Sequence, residues 1–272
     1  MKRRFLSLDE VNAYRSAYGN PFLKKELFAA LIAPFFVAGF YVMILTYYWW
    51  LALIGGVIGA LYGFFVLIKQ SVKRVYDQQA IQQRNRFVNN MPHILSNKDE
   101  TVFSAIKWCA RPEISKGEFK RDLDILLGNL MDATDEDIKM AFEEFSDKYK
   151  SDIPFTLFIE HLVTAMLEGN INVKKLKEIT SMHNDMLYER NLFVINKSSY
   201  LKQLKMFQLY AIAIIGILTF ADGFKNYLIN YAHNPIGWIC SAVFLVVLAF
   251  LYHGLQVKMS DDEVMELKVW RN

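Results

Sequence analysis

The chain has few cysteines and little net charge. There are two cysteines in 272 residues, and the formal net charge is +3. We expect Cys109 to be a small buried residue of a soluble domain and Cys240 to lie in an apolar segment, so no disulfide is expected between them. No Cys/His cluster has metal-ligand spacing, and the small charge gives no indication of a nucleic-acid partner. We therefore expect no metal and no other cofactor.

Motifs of the common catalytic and nucleotide-binding sites are missing as well. The sequence contains no P-loop, Rossmann glycine fingerprint, Gly-x-Ser-x-Gly elbow or His-Glu-x-x-His pattern. Its apolar segments carry no formal charge in their interiors, because Asp222 and His253 lie near segment ends. This absence argues against a proton-coupled transporter. The sequence therefore favours a protein that is not itself an enzyme.

Four apolar segments stand in two pairs on either side of a long polar stretch. They are Leu27–Tyr47, Trp49–Ile68, Met206–Phe220 (extending to Phe224 if Asp222 lies at the interface) and Ile236–Val257. A helix of about 20 apolar residues is long enough to cross a bilayer. The pairing predicts two transmembrane hairpins, residues 27–68 and 206–257, and aromatic residues at the first tip are typical of a membrane interface.

Basic residues determine the orientation expected for these hairpins. They flank the first hairpin on both sides, at Lys24, Lys25, Lys69, Lys73 and Arg74. The positive-inside rule places both flanks in the cytoplasm. Four crossings then put the N-terminal segment 1–26, the central domain 69–205 and the tail 258–272 in the cytoplasm, with the protein in the inner (cytoplasmic) membrane.

The central domain shows helical periodicity and no competing strand pattern. One helix is predicted to end near Pro92, and a short one follows at Val102–Cys109. Capping boxes at Ser115–Glu118 and Thr134–Asp137 and the proline at Pro154 predict the starts of three more helices. Gly169 predicts a helix end, and a long helix is expected from about Asn172 into the membrane. His183 is expected to be a core histidine. Similar caps at Ser7 and Ser260 predict short terminal helices. The expected fold is all-α: a polytopic membrane protein with four transmembrane helices around a cytoplasmic bundle.

Three glycines in the second apolar segment are spaced four residues apart. They are Gly55, Gly59 and Gly63. Small residues at this spacing leave a flat strip on one helix face, which allows another helix to approach closely. We expect the strip to pack against the first helix of the same chain, and self-association between chains is the alternative.

Acidic residues cluster on one predicted helix of the bundle. The main members are Asp135, Glu136, Asp137, Glu143 and Glu144. Negative charge in the first helical turn complements the helix dipole, and the later residues fall on the solvent-facing side. Capping and solvation therefore explain most of the pattern. Paired carboxylates could also serve as acid and base or bind magnesium, and an acidic surface could dock a basic partner.

Three local stretches, together with the layout from about Leu27 to Val257, resemble a known family. The stretches are Arg86–Leu95, Phe119–Leu127 and Leu162–Asn170. They are similar to parts of the inner-membrane platform proteins of tight-adherence pili, in the type II secretion F-domain superfamily. Ser96–Glu100 departs from the pattern, because the family usually has a small-residue, glycine-containing turn soon after the proline.

The resemblance implies a role and not a reaction. Members of the family are non-enzymatic platforms that couple a cytoplasmic hexameric ATPase to insertion or extrusion of pilin subunits. They work as homo-oligomers or paired with a related platform protein. The acidic helix is then the candidate dock for the ATPase. A membrane subunit of a transporter driven by a separate ATPase is the second interpretation, and a membrane enzyme that uses the acidic cluster is the third.

Overall fold

The computed structural model describes residues 16–18, 24–221 and 223–259, and every regular element in these ranges is a helix. The helices are α1 (Lys24–Thr46), α2 (Trp49–Tyr62), α3 (Ile68–Ile94), α4 (Val102–Cys109), α5 (Gly117–Asn129), α6 (Asp135–Asp147), α7 (Ile153–Glu168), α8 (Val173–Ala221), α9 (Phe224–Tyr227) and α10 (Pro235–Met259). Short π-helices follow α2 at Gly63–Leu67 and α9 at Leu228–Ala232. The all-α prediction is confirmed for this part of the chain.

Three helical runs are long and apolar enough to cross a membrane. They are Trp49–Ile94, Val173–Ala221 and Pro235–Val257, with 46, 49 and 23 residues. A shorter apolar helix, Ala30–Thr46, lies within α1. These helices are compatible with a membrane protein, and the arrangement with four crossings stays a prediction. The predicted caps at Ser7 and Ser260 lie outside the described residues.

The described residues belong to two compact units. One lies within Pro21–Arg74 and Val194–Asp261, and the other lies within Val75–Phe193 together with residues 16–18. In the first unit, the Tyr41 hydroxyl of α1 donates to the Gln208 carbonyl of α8 at 3.2 Å. The Tyr62 hydroxyl of α2 lies 3.0 Å from His253 Nδ1 of α10. Side-chain hydrogen bonds therefore join the first hairpin to both later apolar helices.

Phenylalanine rings form the centre of the second unit, a helical bundle. The rings of Phe87, Phe119, Phe142, Phe155 and Phe158 are at most 1% exposed. Phe119 lies edge-on to Phe87, with ring centroids 5.7 Å apart. Each fully buried phenylalanine contributes about 1.5–3 kcal/mol through removal of its surface from water. Cys109 lies in the same core, where burial raises the pKa of its thiol to about 12, so its prediction as a buried residue is confirmed.

Local sequence signals correctly predict the ends of two bundle helices. Thr134 Oγ1 accepts a hydrogen bond from the Asp137 N–H (3.4 Å), and Asp137 Oδ2 accepts one from the Thr134 N–H (3.1 Å), which completes the capping box of α6. Asp152 caps α7, with Pro154 in its first turn. Gly169 ends α7 with a φ of 64°, in the left-handed region that favours glycine.

The predicted capping box at Ser115 is wrong. Helix α5 starts at Gly117 with Lys116 as its N-cap, and Ser115 Oγ is buried with no hydrogen-bond partner among the described residues. Contacts distant in sequence explain the shift. The Lys116 N–H donates to Gln83 Oε1 of α3 at 3.1 Å, and Gly117 takes a φ of 64° directly beside the backbone of Ala17.

Candidate functional site

The glycine strip of α2 lies directly against α1 of the same chain. A Cβ added at Gly59 would lie 2.4 Å from the Pro34 carbonyl oxygen and 2.6 Å from Ala38 Cβ, and one at Gly55 would lie 2.6 Å from Val42 Cγ2. A Cβ at Gly63 would lie 2.9 Å from a Pro34 ring carbon. Real Cβ atoms essentially never come within 3.0 Å of another heavy atom. These three positions therefore have no room for a side chain.

The five predicted docking residues lie together on the exposed face of α6. Asp135, Glu136, Asp137, Glu143 and Glu144 are all exposed, whereas Ala141, Phe142 and Phe145 of the same helix are buried. Met140 lies among the acidic residues and is 62% exposed. The helix therefore presents an acidic surface with an apolar side chain in it.

Asp137 is already used within α6. Its carboxylate accepts hydrogen bonds from the Thr134 hydroxyl at 2.6 Å and from the Thr134 N–H, and these bonds lower the pKa of Asp137 below its ordinary value. Within the described part of the chain, no ion pair holds Asp135, Glu136, Glu143 or Glu144. Those four carboxylates are the ones available to a partner.

A buried ion pair connects α3 to the start of α7. Arg84 Nε of α3 donates to Asp152 Oδ2 at 2.8 Å, with the two side chains only 10% and 1% exposed. His183 of α8 is fully buried, and its Nε2 lies 3.5 Å from the same carboxylate oxygen. Asp152 Oδ1 also accepts from the Phe155 N–H at 3.3 Å. Asp152 therefore lies between α3 and α8 and contacts both.

The charges around Asp152 determine its protonation. Burial alone would raise the pKa of this carboxyl, but His183 and Arg84 outweigh that effect and lower the pKa below its ordinary value. The Arg84 guanidinium also lies 5.2 Å from the centre of the Tyr149 ring. The Tyr149 hydroxyl donates to Asp122 Oδ2 at 2.6 Å, and Lys148 Nζ donates to the other oxygen of Asp122 at 2.9 Å. Asp152 thus connects α3, α7 and α8, and Asp122 of α5 holds the C-terminal end of α6.

Two further polar contacts join α3 and α8 directly. The side-chain amides of Asn89 and Asn184 exchange hydrogen bonds of 3.0 and 3.2 Å. The Thr180 hydroxyl lies 3.1 Å from the Val88 carbonyl oxygen, within hydrogen-bond distance. Pro92, inside α3, has no N–H for that carbonyl. The Thr180 hydroxyl also lies 2.8 Å from the Leu176 carbonyl oxygen of α8, so its single proton is shared between the two carbonyls.

We call the contacts of Arg84, Asp152, His183, Asn89, Asn184 and Thr180 the α3–α8 seam. The sequence predicts that His183 lies in the core but does not identify the other five residues as a group. Each is an ordinary polar residue on a helix face or cap, and no short motif links them. In the described residues, no group of three His, Cys, Asp or Glu side chains has the geometry to hold a metal ion.

Comparison with known proteins gives one relative of similar length. The chain is 36% identical over 267 residues to an uncharacterized protein of Bacillus anthracis, and the alignment covers 98% of this chain and 96% of the relative. No protein-family model and no solved structure matches the chain.

Proposed function

We propose that this chain, which belongs to the same family as the uncharacterized Bacillus anthracis protein, is a non-enzymatic platform of a pilus or type II-like secretion machine. It couples a cytoplasmic secretion-type ATPase to assembly or extrusion of pilin-like subunits. It lies in the cytoplasmic membrane with four helices in two hairpins, and both termini and the bundle are in the cytoplasm. It acts as a homo-oligomer or paired with a related platform protein.

The continuity of two helical runs is the observation that supports this proposal most strongly. Trp49–Ile94 contains both apolar α2 and bundle helix α3, and α8 contains both a bundle helix and an apolar segment. Backbone hydrogen bonds make a helix stiff along its axis. In this function, a displacement of α8 is passed along one α-helix toward its apolar segment, and a displacement of α3 is passed through the π-helix Gly63–Leu67 to α2.

The α3–α8 seam keeps those two helices together. Because Asp152 contacts both Arg84 and His183, a force applied at the start of α7 acts on α3 and α8 at once. Thr180 and Asn184 add direct contacts from α8 to α3. This arrangement suits a protein that converts movement of a docked ATPase into movement of both hairpins.

The acidic surface of α6 is the proposed contact for the ATPase. Glu143 and Glu144 are exposed, and Met140 beside them offers an apolar contact. Charges at the rim of an interface mainly steer association. They are screened over about 8 Å at physiological ionic strength, so the affinity should fall as salt rises.

A binding titration tests this function. Full-length protein in detergent is titrated with the hexameric secretion ATPase encoded nearest to its gene, and then with the double variant Glu143→Lys, Glu144→Lys. We expect the variant to bind more weakly. A matched control reverses Glu160 and Glu168, which are exposed on α7, and should leave binding unchanged.

The outcomes distinguish an error in the proposed ATPase contact from an error in the proposed function. Unchanged affinity in the Glu143/Glu144 variant would remove the acidic surface as the contact. Absence of any binding by the full-length protein would remove the platform function. Binding of a nucleotide-binding-cassette ATPase in place of the secretion ATPase would favour the transporter subunit.

A further inference from the structure

We propose that a groove between α4 and α5 binds an acidic segment of a partner protein. The groove has a volume of about 610 Å³ and is lined by Lys107, Trp108, Arg111, Leu127, Glu100 and Asp124 among others. The groove is partly open to solvent, as expected of a surface that a peptide segment lies along and not of a site that encloses a small ligand. It involves no residue of the acidic surface, so the inference does not depend on the proposed ATPase contact.

One of the two acidic side chains of the groove is paired with a cation. The Glu100 carboxylate accepts a hydrogen bond from the Ser104 hydroxyl. Asp124 forms an ion pair with Lys120, with Asp124 Oδ2 2.5 Å from Lys120 Nζ. Asp124 is therefore balanced by Lys120, whereas Glu100 keeps its negative charge, because a hydrogen bond from a neutral hydroxyl does not neutralise a carboxylate.

The basic side chains of the groove are not paired in this way. Lys107 and Arg111 are exposed, and within the described residues neither has a carboxylate within ion-pair distance. The Arg111 guanidinium instead lies 5.9 Å from the centre of the Trp108 ring. Lys107 and Arg111 outnumber the unpaired Glu100, so the remaining charge of the groove is positive, which favours an anionic occupant.

Trp108 gives the groove an apolar surface, so the occupant should also carry an apolar side chain. The Trp108 side chain is 36% exposed beside Ala110 and Leu127, which also line the groove. Tryptophan and arginine are the residues most enriched at the centres of protein interfaces, because a partner can cover their large flat surfaces. A peptide that carries carboxylates and at least one apolar side chain satisfies both features, whereas a simple inorganic anion satisfies only the charge.

Fluorescence anisotropy with defined peptide pools tests the proposal. The probes are capped, labelled ten-residue peptides with Glu at half of the positions and Leu or Phe at the others, and a matched pool with Gln in place of Glu. Full-length protein in detergent should bind the Glu pool more tightly than the Gln pool. The double variant Lys107→Gln, Arg111→Gln should weaken Glu-pool binding by about threefold to tenfold, the range expected for two exposed charge pairs.

Matched variants keep the test specific. Arg86→Gln with Lys174→Gln removes the same two charges from exposed positions outside the groove and should leave binding unchanged. The exchange Lys107→Arg, Arg111→Lys keeps both charges and should retain most of the affinity. Circular dichroism of each variant verifies that the helices are still folded.

Three results would overturn the proposal. The first is equal binding of the Glu and Gln pools. The second is a loss in the groove variant no larger than in the Arg86/Lys174 control. The third is displacement of the peptide by sodium phosphate, but not by sodium chloride of the same ionic strength, because it would identify a site for small anions.

Discussion

Arg84 and Asp152 form a buried ion pair across 68 residues of sequence, with Arg84 Nε 2.8 Å from Asp152 Oδ2. The pair joins a helix that continues from an apolar segment to the cap of a helix in the middle of the bundle. Two charges removed from water stabilise a fold only when each satisfies the other. The bundle therefore depends on both partners.

The first prediction concerns the loss of the charge on Asp152. Asp152→Asn keeps the size of the side chain but removes its charge, which leaves the Arg84 guanidinium buried without a counter-ion. We expect the free energy of unfolding to fall by about 3–5 kcal/mol. Asp124→Asn, which breaks the exposed pair with Lys120, should cost less than about 1 kcal/mol. Denaturant unfolding in detergent, followed by far-ultraviolet circular dichroism, measures both, and equal losses would contradict the prediction.

The second prediction concerns how the stability of the bundle depends on pH. Because the pKa of Asp152 is lower in the folded protein than in the unfolded chain, its contribution to stability is fully present above the unfolded pKa. That contribution is lost as the pH falls through the folded pKa, in the range below about pH 4. We expect the difference in unfolding free energy between the wild type and Asp152→Asn to shrink across this range. A difference that stays constant down to pH 2 would show that the charge of Asp152 is not the cause.

The third prediction concerns the glycine strip. Gly59→Leu places a bulky side chain where even a Cβ would lie 2.4 Å from the Pro34 carbonyl oxygen. We expect α1 and α2 to separate and the yield of assembled protein to fall. Gly216→Leu in α8 is the control, because a Cβ there meets nothing within 4 Å in the described residues. Native gel migration in detergent compares them, and normal assembly of the Gly59 variant would exclude a close-packed strip.

The fourth prediction pairs two glycines of α5. A Cβ at Gly117 would lie 1.9 Å from the Ala17 carbonyl oxygen, and the φ of 64° is itself unfavourable for alanine. Gly117→Ala should therefore lower the thermal midpoint. Gly128→Ala lies inside the helix, where a Cβ meets no described residue within 4 Å, and should raise stability by about 0.5–1 kcal/mol. Thermal melts of the two variants check the signs, and a shift in the same direction for both would contradict the account.

Sequence reasoning succeeds in this chain where neighbouring residues satisfy each other. Thr134 and Asp137 are three positions apart and cap the same helix. Gly169 ends α7 because a residue without a side chain readily adopts the left-handed conformation. Ser115 shows where such reasoning fails. Its local pattern is a normal cap, but Gln83 binds the N–H of Lys116, and the backbone of Ala17 occupies the space beside Gly117. Contacts from distant parts of the chain decide where α5 begins.

The α3–α8 seam could not be predicted from the sequence for the same reason. Arg84, Asp152 and His183 come from three separate parts of the chain, and nothing in their local sequence identifies them as partners. Pro92 is a partial exception. Its position in α3 predicts an unpaired carbonyl at Val88, but only the structure shows that Thr180 lies beside that carbonyl.

The placement of the bundle in the cytoplasm is the central claim, and cysteine labelling in intact cells tests it most directly. Met140 is 62% exposed on α6, Cys109 is buried and the exposed Cys240 can be replaced by alanine. In that background, we predict that a membrane-impermeant maleimide labels Met140→Cys only after the cells are permeabilised. Trp49→Cys, at the predicted outer tip of the first hairpin, should be labelled in intact cells. Labelling of Met140→Cys from outside intact cells would contradict the account.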